Sequence, residues 1–243
     1  MKENDLPGTF IVIEGPDSAG KQTQAGRLVK WLRGEDFGSI SEEEELEVVS
    51  KMPGRYPVNS DSNPDSIENG VWKLSFPSYS QTPGGRVVKA YLNGRLGTRD
   101  DLSVEDIVDI YAADRKQFKY VIAEYLEKGG IIVCDRYREA NLIHQLVGFE
   151  GEEWHEKRQR IKQADSDLPD PDAVFYLNIS PAEMFRRMES KDKDMHELNE
   201  EYMRASNRNG LKVAEHEDWS IFDGERSRDE IQQDLRASAR QHF

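Results

Sequence analysis

The run Thr9–Glu14, TFIVIE, passes directly into Gly15-Pro16-Asp17-Ser18-Ala19-Gly20-Lys21-Gln22-Thr23. A short run of β-branched and apolar residues ending in Glu14 and flanked by Gly8 and Gly15 reads as a buried strand. Residues 23–32 have helical spacing, with Ala25, Leu28, Val29 and Leu32 on one side. The loop between them nearly fits G-x-x-x-x-G-K-[ST], and it lies between strand and helix as that motif requires. Gly15 and Gly20 free the backbone amides around Ser18 and Ala19 to face inward and wrap a polyphosphate. Lys21 reaches its outer oxygens, and the helix that follows aims its positive end at the same place. One position departs: Gln22 stands where a Ser or Thr hydroxyl ordinarily ligates Mg²⁺. A Gln22 carbonyl oxygen, the Thr23 hydroxyl or bridging water are the available substitutes. The alternative is a chance glycine-rich turn, which this placement argues against.

Further short apolar runs follow at 71–76, 131–134 and 173–179, with an edge-type strand at 218–222. Helical patterns occupy 85–92, 104–126, 138–147, 181–188, 198–208 and 228–240. Strands alternating with helices predict an α/β fold with a parallel sheet and its ligand at the strands' carboxyl ends. Residues 34–70 differ: Glu42 to Glu45 form an acidic run, and Pro53, Gly54, Pro57, Asn59 and Pro64 break any apolar pattern. They read as a solvated insertion in a single domain spanning 1–243.

Composition narrows the function. Lys and Arg total 33 against 47 Asp and Glu, a net charge of -14. That excess disfavours coating nucleic acid or an anionic membrane, so an anionic substrate needs a local basic cluster. A single cysteine, Cys134, excludes an intramolecular disulfide framework. No apolar run reaches the ~18 residues of a membrane helix. The opening MKENDLPGTF lacks the apolar stretch of a signal peptide, so a cytoplasmic protein is expected.

Two further groups carry chemistry. The strand at 131–134 ends in Cys134-Asp135-Arg136-Tyr137. A carboxylate there can hold Mg²⁺ or its waters, and the adjacent guanidinium can clamp a phosphate. An Asp–Arg ion pair closing the strand is the structural alternative. Arg186, Arg187, Lys191 and Lys193 are interleaved with Glu189, Asp192 and Asp194. Runs of this kind are usually solvated helix ends.

Five motifs in order resemble the thymidylate kinases, a family of P-loop nucleoside monophosphate kinases. They are the loop ending Lys21-Gln22-Thr23-Gln24; Phe76-Pro77 followed by Gly85 and Tyr91-Leu92-Asn93-Gly94; Tyr111-Ala112-Ala113-Asp114-Arg115; Asp135-Arg136-Tyr137; and Leu168-Pro169 with Pro171-Asp172. The resemblance spans about 9–33 and 71–235, and only the 34–70 insertion is foreign to it. It implies a P-loop sheet flanked by helices, ATP and Mg²⁺ as cofactors, dTMP as acceptor and a homodimer. Tyr111 would stack on the acceptor base and Arg115 would bond a base carbonyl. Asn141, His144 and Gln145 would line the nucleoside pocket, with His144 where the family commonly has Tyr. Phe76 and Tyr79 would border the acceptor, Tyr79 standing near the position of a phosphate-gripping Arg in many relatives. Asp17 would lie near Mg²⁺ and the acceptor sugar, with Asp17 and Asp135 meeting the metal through water. Residues 186–200 would form a lid, Arg187 neutralising the transferring phosphoryl and Lys191 and Lys193 touching ATP. Two alternatives stay open at this level. One is a kinase of the same fold acting on dUMP, a modified deoxypyrimidine nucleotide or a nucleoside. The other is a non-catalytic nucleotide-binding protein.

Overall fold

The computed structural model describes residues 5–33, 70–79, 82–188 and 200–243. All of the acidic stretch except Gly70, most of the 186–200 segment, and Lys191 and Lys193 with it, lie outside the described residues. Five strands, β1 (Thr9–Glu14), β2 (Val71–Ser75), β3 (Ile131–Asp135), β4 (Ala173–Asn178) and β5 (Ser220–Asp223), form one sheet. All pairs are parallel, in the order β2-β3-β1-β4-β5. The described helices are α1 (Lys21–Leu32), α2 (Pro83–Leu92), α3 (Val104–Lys116), α4 (Lys119–Glu127), α5 (Glu139–Gln145), α6 (Gly151–Ala164), α7 (Pro181–Met188), α8 (Glu200–His216) and α9 (Arg228–Ala239).

β1 is central, and its alternation feeds two cores. Phe10 and Val12 pack with Trp72, Phe118, Ile122 and Tyr137 on one face. Ile11 and Ile13 pack with Leu28 and Val29 of α1 and Leu235 of α9 on the other. A strand covered on both sides needs no polar positions, which is why TFIVIE is continuous. Each such side chain contributes about 1.5–3 kcal/mol by leaving water.

Three readings of the pattern are corrected. The helix at 104–126 is two helices. Phe118 N–H turns back to Arg115 O at 2.9 Å, and the Phe118 ring packs edge-on against Phe76 with centroids 5.1 Å apart. The break brings Phe118 into the core. The helix at 198–208 continues to His216. Gly210 lies within it, and a Cβ there would sit 2.3 Å from the Tyr176 hydroxyl, so glycine serves close packing. Finally, α6 is a helix that periodicity does not reveal, because it buries only Trp154 and Ile161, seven residues apart.

The topology places the site. The chain leaves β1 toward the β2 edge and leaves β3 toward the β4 edge, although β1 and β3 are neighbours. Their exits diverge and open a crevice at the carboxyl ends. Register sets Ile13 opposite Asp135 and Glu14 opposite Tyr176, so the ends of β1, β3 and β4 lie level.

Candidate active site

The phosphate loop is built from backbone. Gly15 has φ +148, and a Cβ on it would lie 2.5 Å from Leu177 O. Gly20 has φ +93 and caps α1 in the left-handed region. Ser18 also adopts a positive φ of 59. Lys21 is buried, and its ammonium donates to Gly15 O at 2.8 Å and Pro16 O at 2.6 Å. The cation is thus folded back over the loop. Burial, followed by the Arg136 charge, lowers the Lys21 pKa to about 8. Gln22 is exposed; its backbone carbonyl accepts from Lys73 Nζ at 3.3 Å.

At the end of β3, Asp135 is 9% exposed, and its Oδ1 is buried without a hydrogen-bond partner among the described residues. Arg136 follows with φ 63, a costly conformation for a side chain of its size and of a kind that clusters at functional sites. Its guanidinium pairs with Asp17 of the phosphate loop. Burial pushes the Asp17 carboxyl up, but the Arg136 and Lys21 charges outweigh it and hold the group well below the usual carboxylate range. Arg136 and Asp17, two residues read from the sequence as phosphate clamp and metal neighbour, are therefore partners of each other.

Arg187 completes the ring of cations. It donates to Glu183 Oε1 at 2.5 Å, Gly224 O at 2.9 Å and Ser18 O at 3.4 Å, so it rests against the phosphate loop. Arg186 turns out to solvent on the same Glu183. Glu14, which motif reading passes over, ends β1 beneath this cluster. It is 1% exposed and accepts the Tyr137 N–H at 3.0 Å. Burial raises its pKa from 4.5 to about 7.

On the acceptor side, Tyr111 lies within electrostatic reach of Tyr202, Tyr91, Tyr79 and Arg136, and burial raises its phenol pKa. Its ring meets Tyr91 edge-on at 6.2 Å. Tyr79 is 44% exposed at the tip of the turn after β2. That turn is fixed by Asp114, which accepts Ser78 N–H at 2.7 Å, Ser78 Oγ at 2.5 Å and Thr82 Oγ1 at 2.8 Å. Phe76 is a core residue packed on Phe118 and Tyr137, at the foot of the turn that carries Tyr79. Arg115 is 2% exposed and sets Nε and Nη2 on the Asp165 carboxylate at 3.2 and 2.5 Å. Asn141 is buried, with Nδ2 at 3.5 Å from Val108 O. His144 Nδ1 lies 3.2 Å from the Tyr202 hydroxyl, and Gln145 Oε1 accepts from Arg99 at 2.7 Å. Glu14, Arg99, Asp165 and Tyr202 are contributions the sequence reading did not find. Glu14 adjoins the phosphate loop but lies outside the motif's own positions, whereas Arg99, Asp165 and Tyr202 come from distant segments and belong to no local motif.

The thymidylate kinase family model matches residues 68–235. The chain is 28% identical over 95% of its length to a probable thymidylate kinase of Pyrococcus abyssi, covering 95% of that protein. It is 26% identical over 97% of its length to the thymidylate kinase of Plasmodium falciparum, covering 91% of it. The solved thymidylate kinase of Candida albicans superposes with a TM-score of 0.68 over 97% of this chain and 94% of that one, at 20% identity. With more than half of its residues matched, and with a phosphate loop and a parallel sheet of the same kind, the chain belongs to the thymidylate kinase family.

Proposed function

We propose that the protein transfers the terminal phosphoryl group of ATP to dTMP, giving ADP and dTDP by in-line displacement. The observation that carries this reading is the convergence of Lys21, Arg136 and Arg187 on one glycine-framed loop, in a chain of net charge -14. A strongly acidic protein that gathers three cations around backbone amides is built for a polyphosphate.

The acceptor phosphate is already anionic near neutral pH, so no general base is needed, and the rate comes from alignment and charge neutralisation. Lys21 leaves the loop carbonyls for the donor phosphates. Arg136 shares its guanidinium between Asp17 and the acceptor phosphate, and Asp17 keeps it aimed. Arg187 approaches the transferring group from the Ser18 side. Tyr111 stacks the base, with Asn141 and His144 beside the sugar. Residues 186–200, Lys191 and Lys193 included, close over ATP, and the working protein is a homodimer.

The residues fit Mg²⁺ held largely by nucleotide phosphates and water. Asp135 Oδ1 is a buried acceptor with nothing to accept among the described residues, suited to a metal-bound water, whereas Asp17 is engaged by Arg136. Among the described residues no group of three or more His, Cys, Asp or Glu is placed to hold a metal. When bound, the ion neutralises charge on the phosphates. Also among the described residues, no helix is long and apolar enough to cross a membrane.

A coupled ADP-release assay across nucleoside monophosphates tests the reading. dTMP is expected to be the best acceptor, with turnover lost in EDTA. A tenfold preference for CMP, AMP or GMP would overturn it.

A further inference from the structure

The turn between α2 and α3 has no place in the mechanism above, yet it is built with care. Gly94 and Gly97 take positive φ values of 70 and 100. Thr98 N–H and Oγ1 both donate to Asp101 Oδ2 at 2.8 Å, and Ser103 caps α3 in a reciprocal box with Asp106. The turn thereby holds up Arg99. One Arg99 nitrogen donates to Gln145 Oε1 at 2.7 Å and the other to His144 O at 3.0 Å. The guanidinium also lies 4.9 Å from the centre of the Tyr202 ring. Tyr202 in turn meets His144, and both Tyr202 and Tyr91 neighbour Tyr111. The Arg99 cluster therefore adjoins Tyr111.

The chemistry of this contact is directional. A guanidinium has five donors and no acceptor. It can meet a carboxamide only at the oxygen, so Gln145 has one amide orientation available here. Gln145 is 3% exposed, and the contact with Arg99 accounts for its oxygen. Its NH₂ is left as the group offered to a ligand.

We propose that Arg99 is a positioning residue that sets base specificity: it fixes the Gln145 carboxamide with its donor side toward the acceptor base. The NH₂ there donates to a carbonyl oxygen, as on thymine or uracil, and opposes the exocyclic amine of cytosine. Without Arg99 the carboxamide can rotate and present its oxygen instead, which suits the amine. The inference rests on the acceptor site proposed above.

The test compares kcat and KM for dTMP, dUMP and dCMP in the wild type, Arg99→Ala, Arg99→Lys and Gln145→Glu. Arg99→Ala is expected to raise KM for dTMP about tenfold, to leave kcat within about threefold, and to cut the dTMP-to-dCMP ratio of kcat/KM by at least about tenfold, the scale of one mispaired buried hydrogen bond. Arg99→Lys, which keeps a donor on the Gln145 oxygen, should restore most of that ratio. Gln145→Glu, which removes the NH₂, should lose it as Arg99→Ala does. If Arg99 only ties down the end of α5, Arg99→Ala lowers kcat/KM for all three acceptors equally; an unchanged ratio overturns the proposal. Should Arg99→Ala fail to fold, the Arg99→Lys and Gln145→Glu ratios decide it in the same way. A wild type that leaves dTMP untouched would instead overturn the proposed function.

Discussion

The donor side and the acceptor side of this crevice are made of different material. The frame of the donor side is one continuous segment, Gly15 to Lys21, made of backbone, a lysine five residues after the loop proline and a helix end, with Arg187 of α7 resting against it. The acceptor side is assembled from side chains on α3, α5, α8 and two turns, each held by a residue far away in the chain. Arg115 depends on Asp165, Gln145 on Arg99, His144 on Tyr202, and Ser78 on Asp114. A site made of backbone is robust to the identity of most side chains around it. A site made of paired side chains fails when either partner is removed.

Substitutions can break this contrast or sharpen it. The largest effect is expected on the acceptor side, at the buried pair. Asp165→Ala leaves Arg115, 2% exposed, without its carboxylate, and removing one member of a buried pair costs about 3–5 kcal/mol. Chemical denaturation should show this loss; a change under about 1 kcal/mol would mean that water or another group takes over the guanidinium.

Next comes Arg136→Ala, which is expected to lower kcat/KM for the acceptor by about 10²-fold, the usual scale for losing a charge-assisted contact in a transition state. Near-wild-type kinetics would reduce Arg136 to a structural partner of Asp17.

A smaller, pH-dependent effect belongs to Glu14, beneath the junction of the two sides. Its folded pKa of about 7 exceeds the ordinary 4.5. The folded protein therefore holds a proton that the unfolded chain releases earlier, and this stabilising difference is complete below about pH 4.5 and lost as pH rises through about 7. Glu14→Gln keeps an oxygen for the Tyr137 N–H and removes the titration. Its Tm should fall less than that of the wild type between about pH 5.5 and 8; equal slopes would show that Glu14 is ionised throughout.

The smallest effect is expected on the donor side. Gln22 is exposed, and its backbone carbonyl accepts from Lys73, so Gln22→Ser should keep turnover within about threefold while lowering the Mg²⁺ needed for half-maximal rate. A loss of tenfold or more would mean that the Gln22 side chain takes part in holding the nucleotide, and that the loop is less purely backbone than it looks.

Much of the molecule was legible before any coordinates. Buried parallel strands announce themselves as uninterrupted apolar runs, and β1, β2, β3 and β4 fall where those runs are. α6 was not legible, since a helix packed through two side chains leaves almost no periodic signal. Nor was the break at Phe118, where the demand for a buried aromatic overrides helical continuity.

The sequence by itself determined the phosphate loop and the strand ends that carry Asp135 and Arg136, because those features depend on neighbours along the chain: glycine where φ is positive, lysine at the start of a helix, a carboxylate one step past a strand. Only the tertiary structure decided that Arg136 faces Asp17, that Arg115 is closed by Asp165, that Phe76 serves the core, and that Arg99 turns the Gln145 amide. Those contacts join residues 46 to 119 positions apart, save for Phe76, which is 42 from Phe118 by its number. Local pattern carries no record of such distances. They are selected when strands align in register and helices pack, since a buried charge or amide must find a complementary group wherever the fold has placed one.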